Sequence, residues 1–171
     1  GLTDSHKGWC KNTLLAQGSL IAEKIYDKIQ DFAMEFECKN GTTQFAGYSL
    51  FETENGIYRN NFLTIDKKIE EILAAKGLDT EMLNKVQDNL IDFFNISVSP
   101  NYSGPLGVDM FIYLENGNVK LHPCVEINLR MTMGYLARIF YDRFVSDDKE
   151  GRFYVDHFAT KGDLLKDHLR R

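Results

Sequence analysis

Residues 119–130 constrain this chain more than any other stretch. Val119, Leu121, Pro123, Val125, Ile127 and Leu129 alternate with Lys120, His122, Cys124, Glu126, Asn128 and Arg130. A period of two demands a strand, with the apolar row turned to a core and the polar row turned away. The polar row ends in a carboxylate, an amide and a guanidinium, each two residues apart and therefore on one side. A carboxylate and an amide oxygen suit a hard divalent cation. A guanidinium suits phosphate, as does the start of a helix, and a helix-period segment follows from Met131 to Val145. The strand reads as the metal–phosphate end of a nucleotide site.

The strand before it completes the site. Val108, Met110, Ile112 and Leu114 alternate with Asp109, Phe111 and Tyr113, and Asn116-Gly117 joins the two strands as a tight hairpin turn. A two-residue loop pairs Glu115 with Asn118 and carries Asp109 opposite Cys124. Asp109 and Glu126 then lie diagonally, about 7–8 Å apart. Two carboxylates at that separation can share divalent ions. The plainer reading is a solvated outer face, but Phe111, Tyr113, His122 and Cys124 share it, which points to a covering lobe or ligand. Taken singly, His122 and Cys124 read as structural, Cys124 as a small core residue.

The rest of the chain alternates sheet and helix. A short helix around Trp9 to Ala16 ends at Gly18. Strands are expected at Ser19 to Tyr26, Asp31 to Lys39 and Thr43 to Glu52, with Phe45, Gly47, Ser49 and Phe51 on one side of the last. Asn40-Gly41 is a hairpin turn, and Asn55-Gly56 marks another. Thr64 is placed to cap a helix through Ile65, Ile69, Ile72 and Leu73. Gly77 ends it. Asp79 or Thr80 starts another, through Met82, Leu83, Val86, Leu90, Phe93 and Phe94. Tyr58, Arg59 and Asn60 follow a turn and are candidates to meet a substrate. Arg138 and Arg143 read as surface ion-pairing residues. A short helical stretch, Lys161 to Leu169, lies in a charged tail ending in Arg170-Arg171.

Composition narrows the class. The chain has 171 residues, 43% hydrophobic and 26% charged, with a net charge of −5. That is globular, and too acidic to favour nucleic acid or an anionic membrane. No apolar run reaches membrane-spanning length and no basic-then-apolar leader opens the chain. Cys10, Cys38 and Cys124 are odd in number and widely spaced, which argues against a disulfide framework or structural zinc. The expected location is the cytoplasm.

Gly107-Val108-Asp109 followed by Glu126-Ile127-Asn128-Leu129-Arg130 resembles the magnesium-binding end of the ATP-grasp fold. Ala22-Glu23-Lys24-Ile25-Tyr26 is similar to the hinge strand between its two lobes. Tyr102 to Asp109 and Leu121 to Gly134 resemble a bacterial branch of that superfamily. The resemblance implies an α+β fold of ATP-grasp-like antiparallel sheets with flanking helices, truncated at the N-terminus. It implies the remainder of a lid lobe, hinge strand and sheet over 1–63, a C-terminal lobe with the metal–phosphate hairpin over 64–145, and a charged tail over 146–171. Asp109, Glu126 and Asn128 would hold Mg²⁺, or Mn²⁺ in its place. Arg130 would bind the transferred phosphoryl group as the catalytic residue. Glu23, Lys24, Ile25 and Tyr26 would line the adenine slot. Asp31 would meet the ribose, with Glu35 as its substitute. The family's phosphate-binding lysines are not found in this sequence, and Gly107 stands where several of its ligases have an arginine.

On this resemblance the parent protein would be an ATP-dependent carboxylate–amine or carboxylate–thiol ligase acting through an acyl phosphate. Its partners would be ATP, a carboxylate substrate and an amine or thiol acceptor. Two other classes stay open: a nucleotide-binding or assembly module without catalysis, and a metal-dependent hydrolase using Asp109 and Glu126. Unpaired sheet edges and an apolar inter-lobe face also lead to the expectation of a homo-oligomer.

Overall fold

A computed structural model describes residues 1–54, 57–146, 149–155, 160 and 162–169. The Asn55-Gly56 turn, Lys161 and the terminal Arg170-Arg171 lie outside the described residues. Helix α1 (Asp4–Gln17) is followed by strands β1 (Asp27–Lys39), β2 (Thr42–Glu54) and β3 (Ile57–Leu63), then helices α2 (Asp66–Ala75) and α3 (Thr80–Ser97). Strands β4 (Gly104–Glu115) and β5 (Asn118–Asn128), helix α4 (Met133–Phe144), strand β6 (Gly151–Tyr154) and helix α5 (Asp163–His168) complete it. The fold class is α+β: one six-stranded sheet in the order β5-β4-β1-β2-β3-β6, with every pair antiparallel. The segments 1–63 and 64–145 meet in this sheet through β1 and β4. Among the described residues no helix is long and apolar enough to cross a membrane.

The sheet has two unlike faces. On one, Phe32, Met34 and Phe36 of β1, Tyr48 and Leu50 of β2, and Leu106, Val108, Met110 and Ile112 of β4 meet Ile69 and Leu73 of α2 and Leu83 and Phe94 of α3. This is the main core. On the other, Ala137 and Tyr141 of α4 pack on Leu63. Helix α4 leaves the β4–β5 end of that second face uncovered, and the polar side chains of the site project there.

Of the three Asn-Gly turns, the two within the described residues form as read. Asn40 and Gly41 have φ of 53° and 76°, and Asn116 and Gly117 of 53° and 78°. These are the paired left-handed conformations of a turn that matches strand twist. Asp79 caps α3, its Oδ1 accepting from Glu81 N at 2.9 Å, and Thr132 caps α4.

Four local expectations are corrected. Residues 19–26 form no regular element. The last β1–β4 pair is Asp27 with Leu114, so the residues before Asp27 lie beyond the hairpin end and have no strand to pair with. Thr64 does not cap α2. The cap is Ile65, with no side-chain bond, while Asp66 Oδ1 accepts from Tyr48 N at 2.9 Å. In β2 the sidedness changes at a bulge: Gly47 pairs with Glu35 but Phe45 with Phe36, leaving Ala46 as the extra residue. Phe45 therefore joins the main core while Ser49 and Phe51 face the site. Gly47 has φ of 126°, which only glycine adopts freely. Arg138 is no surface residue: its Nη1 donates to Thr64 O at 3.0 Å and pairs with Asp66 at 3.3 Å.

Candidate functional site

The β4–β5 register differs from the simple hairpin count. Glu115 pairs with Asn118 and Phe111 with His122, but Asp109 pairs with Glu126. Met110 alone therefore faces Pro123, Cys124 and Val125. Pro123 has no N–H to give to a ladder, which accounts for a bulge at this place. Two extra residues preserve the alternation of faces. Asp109 moves from opposite Cys124 to directly opposite Glu126, with Asn128 still on their side. Direct partners stand about 4.5–5.5 Å apart at Cβ, closer than the diagonal separation read from the sequence. Cys124, in the bulge, is exposed.

The apolar row of β5 is only partly buried. Val119 and Leu121 pack on the core, but Val125, Ile127 and Leu129 are 51%, 39% and 49% exposed. Strand β5 is an edge strand, and the helices beneath the sheet do not reach its second half. Its best-buried side chain is a polar one, Asn128 at 8%. Asn128 Nδ2 donates to Asp109 Oδ2 at 3.4 Å, and its Oδ1 accepts from Arg130 Nη2 at 2.9 Å. Asp109, Asn128 and Arg130 form one bonded cluster at the end of the strand, with Glu126 directly opposite Asp109.

Burial pushes the Asp109 carboxyl up to about 6, and the facing Glu126 carboxylate adds to this. Arg130 and the Asn128 bond pull the other way, and Asp31 pushes up again. Two carboxylates that repel across a strand pair would gain from a cation between them. Among the described residues no three His, Cys, Asp or Glu side chains converge. Two carboxylates and an amide oxygen fit Mg²⁺, which takes one or two carboxylates with substrate phosphates, and do not fit a closed zinc cage. The Asn128 oxygen keeps a second lone pair beside its Arg130 bond.

On the hairpin side of this cluster a cleft of about 550 Å³ is lined by Glu23, Lys24, Ile25, Tyr26, Phe111 and His122, among others. The ring of His122 stacks on Phe111 with centroids 4.7 Å apart, and Tyr26 meets Phe111, Tyr113 and His122 edge-on or tilted at 5.2, 4.7 and 5.3 Å. Among the described residues His122 Nδ1 is buried and has no hydrogen-bond partner. Lys24 pairs with Glu115, which also binds Lys120 at 2.6 Å, so the segment before β1 is tied to the hairpin tip. Lys120 and Lys24 together hold the Glu115 carboxyl down to about 2.

Asp31 sits on β1 opposite Phe111, between that cleft and Asp109. Its carboxylate accepts from Thr53 Oγ1 and pairs with Lys28 Nζ, both at 2.9 Å. Arg59 is exposed, and Asn60 is taken up by Glu52 and Arg152.

Past Asp109 lies a second cavity of about 270 Å³, roofed by Thr132, Met133 and Gly134 and floored by Ala33, Glu35, Ser49, Phe51 and Asn61. No local motif marks Ser49, Asn61 or Thr132 as site residues. Glu35 stood only as a substitute for Asp31. It is 1% exposed, and its Oε2 accepts from Thr132 Oγ1 at 2.8 Å. Burial drives its carboxyl up to about 8 against the pull of that bond, with Asp109 adding to the rise. A Cβ on Gly107 would stand 2.6 Å from Glu35 Oε2, and one on Gly134 would stand 2.0 Å from Oε1. Glu35 lies in the buried run Phe32 to Phe36 at the middle of β1, while Glu37 two positions on is exposed.

No protein-family model matches the sequence, and no curated protein matches it. Among solved structures the chain is similar to N5-carboxyaminoimidazole synthetase from Staphylococcus aureus complexed with ADP, at 18% identity over 66% of this chain and 25% of that one, with a TM-score of 0.41. It is similar to N5-carboxyaminoimidazole synthase from Aspergillus clavatus, in complex with ADP and 5-aminoimidazole ribonucleotide, at 16% identity over 66% and 26%, with a TM-score of 0.41. It is similar to multifunctional pyruvate carboxylase from Rhizobium etli at 12% identity over 79% and 11%, with a TM-score of 0.42. The chain spans about a quarter of the length of the two former proteins. At such identities and scores these likenesses assign no activity, ligand or residue role.

Proposed function

We propose that this chain carries the Mg·ATP-binding part of an ATP-dependent ligase of ATP-grasp type, joining a carboxylate to an amine or thiol. The observation that carries the reading is the direct opposition of Asp109 and Glu126, with Asp109 bonded through Asn128 to Arg130. Asp109, Glu126 and Asn128 would hold Mg²⁺ (or Mn²⁺), which when bound neutralises phosphate charge and orients the phosphates. The cleft at Glu23, Lys24, Ile25 and Tyr26 takes the nucleobase, walled by the His122–Phe111 stack. Asp31, between cleft and carboxylate pair, is in reach of the sugar side. Arg130 meets the transferred phosphoryl oxygens through its planar fork.

The γ-phosphoryl group passes from ATP to the substrate carboxylate, leaving ADP and an acyl phosphate. The amine or thiol then forms the new bond to the acyl carbon, and phosphate leaves. The protein's share is placement and charge compensation. The cavity beyond Arg130 is the position for the acyl substrate.

Calorimetric titration of the chain with ADP, with and without Mg²⁺, tests the reading. Binding is expected to require Mg²⁺. Affinity should fall at least about tenfold in Asp109→Ala and in Glu126→Ala, a loss of about 1.4 kcal/mol. Wild-type affinity in either variant, with the fold intact by circular dichroism, removes the metal site and this function with it.

A further inference from the structure

The second cavity has a polar floor that a metal–phosphate site does not need. Straight across the sheet, Glu126 pairs with Asp109, Asp109 with Ala33, and Ala33 with Ser49. Ala33 is the smallest side chain of this row, and it leaves a notch between the carboxylate pair and Ser49. Beyond the notch is a relay: Tyr58 Oη donates to Asn61 Oδ1 at 2.6 Å, and Asn61 Nδ2 donates to Ser49 Oγ. Ser49 and Asn61 are 2% and 1% exposed and yet line the cavity. Among the described residues the Ser49 hydroxyl proton and the second Asn61 N–H have no acceptor, and both stand at the cavity floor.

Resting on the ligase reading, we propose that this relay is the specificity subsite for the acyl substrate: a short carboxylic acid lying over Ala33, its carboxylate toward Arg130 and an uncharged hydrogen-bond acceptor (amide, carbonyl or hydroxyl) on Ser49 and Asn61. Arg130 is the one cationic residue among those lining the cavity. A second carboxylate at the floor would therefore have no counter-charge. An ammonium head would be set against the Asn61 amide N–H at the floor, a donor facing a donor. An aliphatic head would leave two buried donors unpaired, which costs more than the bonds return. The β4 and β2 rows stand two strand spacings apart, about 10 Å. That spacing sets the scale of a short acid lying over Ala33.

Three acids of one length separate the cases: glutarate monoamide, pentanoate and glutarate, with the amine-ended homologue as a fourth. Their dissociation constants are measured by saturation-transfer NMR on the chain with Mg·ADP present. Mg·ADP is also titrated alone, to read the Asp109–Glu126–Asn128 end separately. The monoamide is expected to bind at least about tenfold tighter than the other three, the factor for one buried donor left unpaired. Ser49→Ala and Tyr58→Phe each delete one hydroxyl without adding volume, and in both the preference should fall to within about twofold. Ala33→Leu fills the notch and should remove binding of all four acids. The proposal is overturned if pentanoate, glutarate or the amine binds as tightly as the monoamide. It is equally overturned if both hydroxyl variants keep the preference, or if no acid binds. If the preference holds while Mg·ADP fails to bind, the subsite stands and the ligase reading falls.

Discussion

Among single side chains, Glu35 shows most clearly how burial alters chemistry here. Its carboxyl is held near 8, against an ordinary value of 4.5, because a charged carboxylate between β1 and α4 is poorly solvated. The native state therefore binds this proton more tightly than the unfolded chain does. Stability from this source is fully present below about pH 4.5 and is lost as pH rises toward 8. Glu35→Gln keeps an oxygen to accept from Thr132 and removes the titration. Thermal melts of both proteins across this window are expected to show the wild type losing a few kcal/mol, in order of magnitude, relative to the variant. Parallel curves would mean that Glu35 is solvated in the folded protein.

Between elements, close approach does what no local pattern reveals. Helix α4 begins so near β1 and β2 that a Cβ on Gly134 would stand 2.0 Å from Glu35 Oε1 and 2.3 Å from Ser49 Oγ. Gly134→Ala should push α4 off the sheet at a cost of about 1–3 kcal/mol, read by urea unfolding. An unchanged midpoint would mean that the roof of the second cavity is not packed as described. The spans of α2, α3 and α4 and the Asn40-Gly41 and Asn116-Gly117 hairpins were legible in sequence, because turn dipeptides and periodicity are local properties. Helix α1, by contrast, runs from Asp4 to Gln17, longer than the stretch around Trp9 to Ala16 that the pattern marks. The bulges at Ala46 and at Pro123 to Val125 were not. Their effect is on pairing with another strand, and a count from the turn passes straight over them.

Across the whole molecule, the two sheet edges differ. Strand β6 is short, whereas β5 is long and carries exposed Val125 and Ile127, with exposed Leu129 just past its end. Helix α1 buries none of its residues and leaves Trp9, Leu14 and Leu15 exposed. A long apolar edge of this kind recruits another chain. The chain should self-associate through β5, giving a mass above one chain by light scattering at high concentration. Ile127→Lys, which puts a charge on that edge, should return it to the monomer. A monomeric wild type at every concentration would show that the edge is inert.

The polar row Glu126, Asn128 and Arg130, its neighbour Asp109 and the antiparallel α+β class all follow from residue order, because alternation and turn chemistry act over a few residues. Which atoms meet was settled by packing. The bulge set Asp109 against Glu126, the second bulge turned Ser49 toward the site, and the bare end of the hairpin left residues 19–26 without a strand partner. Glu35, Ser49 and Asn61 became neighbours only when three strands and α4 closed over them. Contacts between residues far apart in the chain depend on sheet order and helix position, and no short stretch of residues encodes either.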